Sequence, residues 1–152
     1  MFSKSTEYAL RAIIYLARKS SVDQKIGISE LADAIGSPKS FTAKILQKLT
    51  KGNRFISSVT GPAGGFYLTD QAKKKSLLHV LTLLEDEGVI TGCILGLREC
   101  SSINPCPLHN QYQHIKPQLL DMLDHKTVND LANEMKDPRI VIHHELKRPR
   151  KR

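Results

Sequence analysis

The chain has 152 residues, enough for one full domain or for a small domain with a helical extension, and two independent cores are not expected. Its aromatic content of 5% and its lack of tryptophan indicate an aliphatic core, which suits packed helices better than a large sheet. No apolar run is long enough to cross a bilayer and no secretory leader pattern opens the chain, so we expect a cytoplasmic protein without a membrane partner.

Two amphipathic helices are predicted in the first 36 residues. In the segment 6–20, Leu10, Ile13, Ile14 and Ala17 recur at the spacing of one helix face. The segment "GISELADAIG" predicts a short second helix that ends at Gly36.

The next segment, "SPKSFTAKILQKLTKGN", predicts the second helix of a helix-turn-helix. Pro38 suits a first helical turn, and Phe41, Ile45 and Leu49 turn inward together with Leu46. We expect the outward side chains to meet nucleic acid, with the hydroxyl and amide groups at base edges and the lysines at phosphates. These candidate residues are Lys39, Ser40, Thr42, Lys44, Gln47 and Lys48.

The net charge of +8 supports this interpretation because basic residues are concentrated in this part of the sequence. The segment 37–69 contains five basic residues and no acidic residue, which predicts a surface patch of one sign. Nucleic acid is the leading partner for such a patch, and a solvated basic face is the alternative. The five residues are Lys39, Lys44, Lys48, Lys51 and Arg54.

A β-wing is predicted directly after this helix. The segment "FISSVTGPAGGFYL" indicates two short strands, Phe55–Val59 and Phe66–Leu68, joined by a turn rich in glycine and proline. We expect contacts to DNA from side chains and backbone N–H groups of the wing. The candidate residues are Ser58, Thr60, Gly61 and Gly64.

All three cysteines lie in the segment "CILGLRECSSINPCPLH", residues 93–109. Six residues separate Cys93 from Cys100, five separate Cys100 from Cys106, and two separate Cys106 from His109. Structural zinc sites usually contain tighter cysteine pairs, whereas an iron–sulfur cluster held by three thiolates suits these intervals. Zinc, an oxidant-sensing thiol at Cys106 and buried structural cysteines remain alternatives.

The segment "NQYQHIKPQLLDMLDHKTVNDLANEM" predicts a long helix after the cysteines. Its apolar residues recur at alternating steps of three and four, as a helix–helix seam requires, and burial within the chain's own domain is the alternative. The predicted dimer interface comprises Tyr112, Ile115, Leu119, Met122 and Leu123.

The order of these elements over residues 1–135 resembles the IscR and NsrR family of bacterial winged-helix regulators. The most specific matches are "SVTGPAGGFYL" in the wing and the cysteine loop ending in "CPLH", although Thr60 stands where the family usually has arginine and Ala63 replaces a glycine. The resemblance implies a homodimeric transcriptional regulator that binds a palindromic operator in double-stranded DNA. It also implies a 2Fe–2S or 4Fe–4S cluster that senses iron–sulfur status, nitric oxide or redox state.

The resemblance leaves two candidates for the fourth ligand beside Cys93, Cys100 and Cys106. His109 matches the family pattern of three cysteines and one histidine, and we favour it because it is local. Glu7 aligns with the position from which some NsrR-like members contribute a carboxylate across the dimer, although an ion pair with Arg11 would also account for it.

We therefore predict a mainly α protein with a small β-wing, a winged helix-turn-helix followed by a long dimerisation helix. The expected parts are the DNA-binding domain at 1–88, the cluster-binding loop at 89–108, the dimerisation region at 109–136 and a basic, disordered tail at 137–152. No catalytic triad, phosphate-binding glycine loop or paired-carboxylate motif is present, so we do not expect an enzyme. A cluster-free regulator that senses oxidants through thiols is the alternative function, and a zinc-binding regulator is a weaker one.

Overall fold

The computed structural model describes residues 2–53 and 55–143, without the side chains of Asn53 and Val89. The described chain is mainly helical with one two-stranded antiparallel sheet, as predicted. Arg54 and the last nine residues, which include most of the predicted basic tail, lie outside the described residues. The elements are α1 (Lys4–Lys19), α2 (Ile28–Ile35), α3 (Lys39–Thr50), β1 (Ser57–Val59), β2 (Gly65–Tyr67), α4 (Asp70–Lys73), α5 (Leu77–Leu83), α6 (Gly88–Thr91), α7 (His109–His125) and α8 (Val128–Glu134).

Helix α1 lies at the centre of the main core. Its small residues Ala9 and Ala12 are completely buried beside Ile13 and Leu16, and small side chains let α2, α3 and α8 approach closely. The Ser3 hydroxyl accepts a hydrogen bond from the Thr6 N–H and caps the start of the helix. The predicted amphipathic helix is therefore confirmed, with its buried face centred on these residues.

The helix-turn-helix consists of α2, a turn at Gly36, and α3. Gly36 adopts the left-handed conformation with φ of 67°, which glycine accepts without a steric penalty, and it ends α2. Two residues later the Pro38 carbonyl accepts the Thr42 N–H at 2.9 Å, which starts α3. Ile45, Leu46 and Leu49 of α3 are buried against α1 and α2, as their spacing predicted.

The wing is attached to the helical core by a backbone contact that the sequence pattern did not indicate. Ser57 pairs with Tyr67, Ser58 with Phe66 and Val59 with Gly65. Phe66 and Ile26 also exchange two N–H···O=C hydrogen bonds of 2.9 Å, so β2 is held against the connection between α1 and α2. This contact fixes the direction in which the wing leaves α3.

The prediction that 109–136 forms one dimerisation region is corrected by α8. The chain turns at Lys126, and Val128 and Ala132 of α8 are buried in the main core against α1. Thr127 and Asp130 form a reciprocal capping box, which explains why a new helix begins here. The segment that follows α7 thus returns to the main core.

A second, smaller core joins α7 to the rest of the chain. Leu81 of α5, Ile90 of α6 and Leu123 of α7 pack together, with Leu119 partly buried beside them. The Tyr112 hydroxyl donates to the Ile90 carbonyl at 3.3 Å, and its side chain is buried. Tyr112 and Leu123 of the predicted interface are therefore buried within the chain, which is the alternative given for this stripe.

The start of the predicted tail contacts the helix-turn-helix. Residues 137–143 are described, and the His143 imidazole lies directly over Gly36, where it occupies the space that a larger side chain would need. Within the described residues, no helix is long and apolar enough to cross a membrane.

Candidate functional site

The exposed face of α3 carries most of the predicted DNA-contacting side chains. Lys39, Ser40, Lys44, Gln47 and Lys48 are all exposed. Lys44, Gln47 and Lys48 also line one shallow groove together with Thr50 and Lys51. This surface combines cationic groups with amide and hydroxyl groups, the combination that phosphate contacts and base readout require.

Thr42 is a correction to the predicted contact set. Its side chain is completely buried, and its hydroxyl donates to the Pro38 carbonyl at 3.1 Å. Thr42 therefore closes the first turn of α3 and does not face outward. Phe41 is partly buried and makes an edge contact with Tyr8, at 5.7 Å between ring centroids, in agreement with its predicted place in the core.

Lys48 is exposed, and its side chain also contacts another part of the chain. Its ammonium group donates to the Leu84 carbonyl at 2.9 Å and lies 3.6 Å from the Glu85 carboxylate. Glu85 has a positive φ of 59°, a conformation that is strained for a residue with a side chain. Lys48 thus connects α3 to the turn between α5 and α6.

The wing exposes Ser58, Thr60 and Gly61, as predicted. Gly64 differs, because its N–H donates to the Gly61 carbonyl at 2.9 Å within the turn. A side chain at Gly64 would also collide with the Val59 carbonyl. The expectation that the Gly64 N–H contacts phosphate is therefore corrected, and Gly64 instead shapes the wing.

The first part of the cysteine site is built around Cys93. The Gly96 N–H donates to the Cys93 carbonyl at 2.9 Å, which closes a turn at this residue. The thiol itself receives hydrogen bonding from the backbone of Leu95 and Leu97 and from the Cys106 side chain. The donation from Leu95, followed by that from Leu97, holds the pKa of Cys93 below its ordinary value. Gly96, with φ of 72°, adopts the left-handed conformation in which this turn closes.

The second part of the cysteine site is built around His109, the first residue of α7. Its side chain is only 4% exposed, and its Nδ1 atom lies 3.6 Å from the Cys100 sulfur. Its Nε2 atom lies 3.2 Å from the Ser102 hydroxyl and contacts the side-chain amide of Gln113. The sequence analysis missed Ser102 and Gln113, although the spacing of four between His109 and Gln113 on one helix could have indicated the second contact.

The four predicted ligands therefore form two contacting pairs, Cys93 with Cys106 and Cys100 with His109. Among the described residues, no three Cys, His, Asp or Glu side chains converge closely enough to hold one metal ion. The donor set, three thiols and a buried imidazole distributed over residues 93–109, fits a cluster with several iron atoms better than a single ion.

Glu7 takes part in a different interaction in the single chain. Its carboxylate accepts a hydrogen bond from the Lys4 ammonium at 2.6 Å, and this bond lowers the pKa of Glu7. The Arg11 guanidinium lies over the Tyr8 ring instead, 5.2 Å from its centroid. The ion-pair alternative for Glu7 is thus realised with Lys4 and not with Arg11.

Comparisons with known proteins agree with this architecture. The family model described as Rrf2, iron-dependent transcriptional regulator, matches residues 2–134. A putative HTH-type transcriptional regulator of Aquifex aeolicus is 33% identical over 135 residues, which cover 88% of this chain and 92% of the relative. The HTH-type transcriptional regulator NsrR of Bacillus licheniformis is 27% identical over 83% of this chain and 87% of its own length.

A solved structure supports the fold. CymR, the global cysteine regulator of B. subtilis, superposes with a TM-score of 0.70 at 19% identity, and the match covers 88% of this chain and 97% of CymR. The predicted resemblance is confirmed by these matches. The chain therefore belongs to the Rrf2 family, and it is a DNA-binding transcriptional regulator rather than an enzyme.

Proposed function

We propose that the protein is a homodimeric regulator whose operator binding is controlled by an iron–sulfur cluster held by Cys93, Cys100, Cys106 and His109. The observation that carries the proposal is the burial of Cys106 and His109 within the cysteine segment, with the His109 Nδ1 atom 3.6 Å from the Cys100 sulfur. Backbone hydrogen bonding from Leu95 holds the pKa of the Cys93 thiol below its ordinary value and so favours the thiolate, the form that iron–sulfur clusters require as a ligand. The family description as an iron-dependent regulator supports the same assignment.

A cluster, when bound, would supply redox-sensitive or nitric-oxide-sensitive chemistry at this site. The residues of the chain would hold it, exclude part of the solvent and transmit its presence. Cys106 is 8% exposed and His109 is 4% exposed, so two of the four ligands are shielded by protein. The other two, Cys93 and Cys100, are partly exposed, which gives a small diatomic molecule or an oxidant access to the site.

Contacts between the two cores provide a route from the cysteine site to the DNA-binding surface. His109 begins α7, and Leu123 of α7 packs on Leu81 of α5. At the same end of α5, the carbonyl of Leu84, the residue that follows the helix, accepts the hydrogen bond from Lys48 of α3. A change in the loop that moves α7 would therefore reach α3 through packed side chains and one strained turn.

The homodimer is supported by where the exposed apolar side chains lie. Ile115 and Met122 of α7 are 57% and 51% exposed and are seven residues apart on one stripe. Leu119, between them in sequence, is half-buried against α5 and would line the edge of this seam. The cysteine loop adds a further exposed apolar set, namely Ile94, Leu95, Leu97, Ile103 and Leu108. Burying these groups against a second copy would remove apolar surface from water and place two α3 helices on a palindromic site.

Replacing Lys44 with alanine should weaken binding to every DNA sequence because an exposed cation on α3 is lost. The slope of log affinity against log salt should become shallower by about one unit, the expected effect of one phosphate contact. Fluorescence anisotropy at several salt concentrations measures both effects. Lys136→Ala, an exposed lysine beyond α8, is the matched control, and an unchanged salt slope in Lys44→Ala would remove this residue from the phosphate-contacting set.

The proposal as a whole is tested by anaerobic purification with iron and sulfide analysis. We expect visible absorbance, acid-labile sulfide, and operator affinity that differs between cluster-loaded and iron-free protein by about 5- to 150-fold. Equal affinity of the two forms for every operator would refute control by the cluster. A colourless, metal-free protein whose DNA binding changes on treatment with peroxide would instead favour the second candidate, thiol sensing by the contacting pair Cys93 and Cys106.

A further inference from the structure

The His109 imidazole is held at both nitrogen atoms by groups from different parts of the chain. Nδ1 faces the Cys100 sulfur at 3.6 Å. Nε2 faces a polar pair formed by Ser102 and Gln113, in which the Gln113 amide nitrogen donates to the Ser102 hydroxyl at 3.3 Å. The two nitrogen atoms of the imidazole therefore have distinct surroundings, one of sulfur and one of amide and hydroxyl groups.

This geometry selects one tautomer in the metal-free chain. With the Gln113 amide nitrogen facing the ring, as in this structure, the Nε2 atom that it contacts is the unprotonated acceptor, because an amide nitrogen only donates. The proton of the neutral ring then resides on Nδ1, from which it can be donated to the Cys100 sulfur. The Ser102 hydroxyl accepts from the Gln113 amide nitrogen, and the single lone pair of Nε2 takes one donor from this polar pair.

The opposite tautomer is needed when Nδ1, the nitrogen on the cysteine side, becomes a ligand. Nδ1 must then present its lone pair, so the ring proton has to reside on Nε2. A glutamine side chain carries a donor and an acceptor at its end, and a half-turn of the amide replaces the nitrogen with the oxygen. The amide oxygen of Gln113 can then accept from the Nε2–H, and the number of protons on the ring does not change.

We propose that Gln113 is a positioning residue that sets the tautomer of His109 and presents its Nδ1 atom, rather than Nε2, to the cysteine site. The statement about the tautomer is independent of the proposed function. The statement about ligation through Nδ1 rests on it. Gln113 itself is exposed, so its replacement should leave the fold intact. The His109 ring is buried at the start of α7, so we expect it to keep its place in the variants below.

The tautomer is measured by ¹⁵N NMR of histidine-labelled, iron-free protein. We expect a protonated Nδ1 and an unprotonated Nε2 in the original chain. In Gln113→Leu, which offers neither a donor nor an acceptor, the preference should weaken and the two nitrogen shifts should move toward each other. In Gln113→Glu, whose carboxylate can only accept, the proton should move to Nε2. Gln111→Leu, an exposed position on the same helix, should leave both shifts unchanged.

Iron retention tests the second half of the inference. Under challenge with a chelator, Gln113→Leu should lose iron about 10- to 100-fold faster than the original chain, the effect expected when a group that orients a ligand is removed. Gln113→Glu should retain iron at least as well as the original chain, because it favours the ligating tautomer.

The outcomes separate the two proposals. A protonated Nε2 in the iron-free original chain, or identical ¹⁵N shifts in Gln113→Leu and the original chain, overturns the role of Gln113. If the expected ¹⁵N shifts are seen in a protein that never takes up iron, the control of the tautomer by Gln113 is supported and the proposed cluster is overturned. Normal iron loading with equal retention in Gln113→Leu would overturn only the link between the tautomer and ligation.

Discussion

Cys106→Ser should abolish cluster binding and with it the difference in operator affinity between iron-loaded and iron-free protein. Cys106 is buried and contacts Cys93, so its replacement removes one ligand and the thiol beside a second. A serine hydroxyl is not ionised near neutral pH and is a poor ligand for iron compared with a thiolate. Iron analysis after anaerobic reconstitution and anisotropy titrations with an operator measure the two losses.

The matched control for this substitution is Asn104→Ser, which places the same side chain at an exposed position of the same loop. The control should load iron normally and keep its affinity difference. Thermal unfolding of the iron-free forms should differ little between the two variants, since a buried cysteine and a serine are similar in size. Full iron loading by Cys106→Ser would exclude Cys106 from the ligand set.

The double substitution Ile115→Asp with Met122→Asp should convert the protein into a monomer. The two side chains are about half exposed on one stripe of α7, and two aspartates there would place four like charges in the proposed interface. Affinity for a palindromic operator should fall by about 100-fold or more, because two linked half-site contacts become independent. Light scattering coupled to gel filtration gives the mass, and anisotropy gives the affinity.

His114→Asp is the control for the effect of the added charge. It introduces the same residue at an exposed position about 100° away around the helix, outside the stripe of Ile115 and Met122. This variant should remain dimeric. A double variant that stays dimeric and binds the palindrome normally would show that another surface forms the dimer.

Local sequence signals predicted most of the DNA-binding domain. The spacing of Ile45 and Leu49 identified the buried face of α3, and the glycine- and proline-rich turn identified the wing. These signals suffice because helix and strand periodicity depend on neighbours a few residues away. Thr42 is the exception within α3, since its hydroxyl bonds to the Pro38 carbonyl and its side chain is covered by the core.

The cysteine site was predicted as a list of donors but not as a geometry. The grouping of Cys93, Cys100 and Cys106 near His109 was visible in the sequence because the four residues occupy one short segment. The N–H groups around Cys93 and the contacts of His109 with Ser102 and Gln113 depend on how the loop folds against the start of α7. The periodicity of the sequence does not predict how a loop packs against a helix.

The largest difference between the predicted and the observed structure is the path of the chain from α7 onward. A continuous apolar repeat suggested one long helix for a partner, but Tyr112 and Leu123 pack on the chain's own α5 and α6. The Thr127–Asp130 capping box begins α8, which returns to α1. An apolar stripe indicates that a helix face is buried, but it does not indicate which surface covers that face.

The sequence alone therefore determined the helix-turn-helix, the wing, the basic character of the DNA-binding surface and the identity of the candidate ligands. These follow from local spacing, charge and residue chemistry. Only the tertiary structure decided that Lys48 bonds to the Leu84 carbonyl, that α8 completes the main core and that Gln113 contacts His109. Such contacts join segments by complementary shape and hydrogen bonding, which form only after the helices have packed.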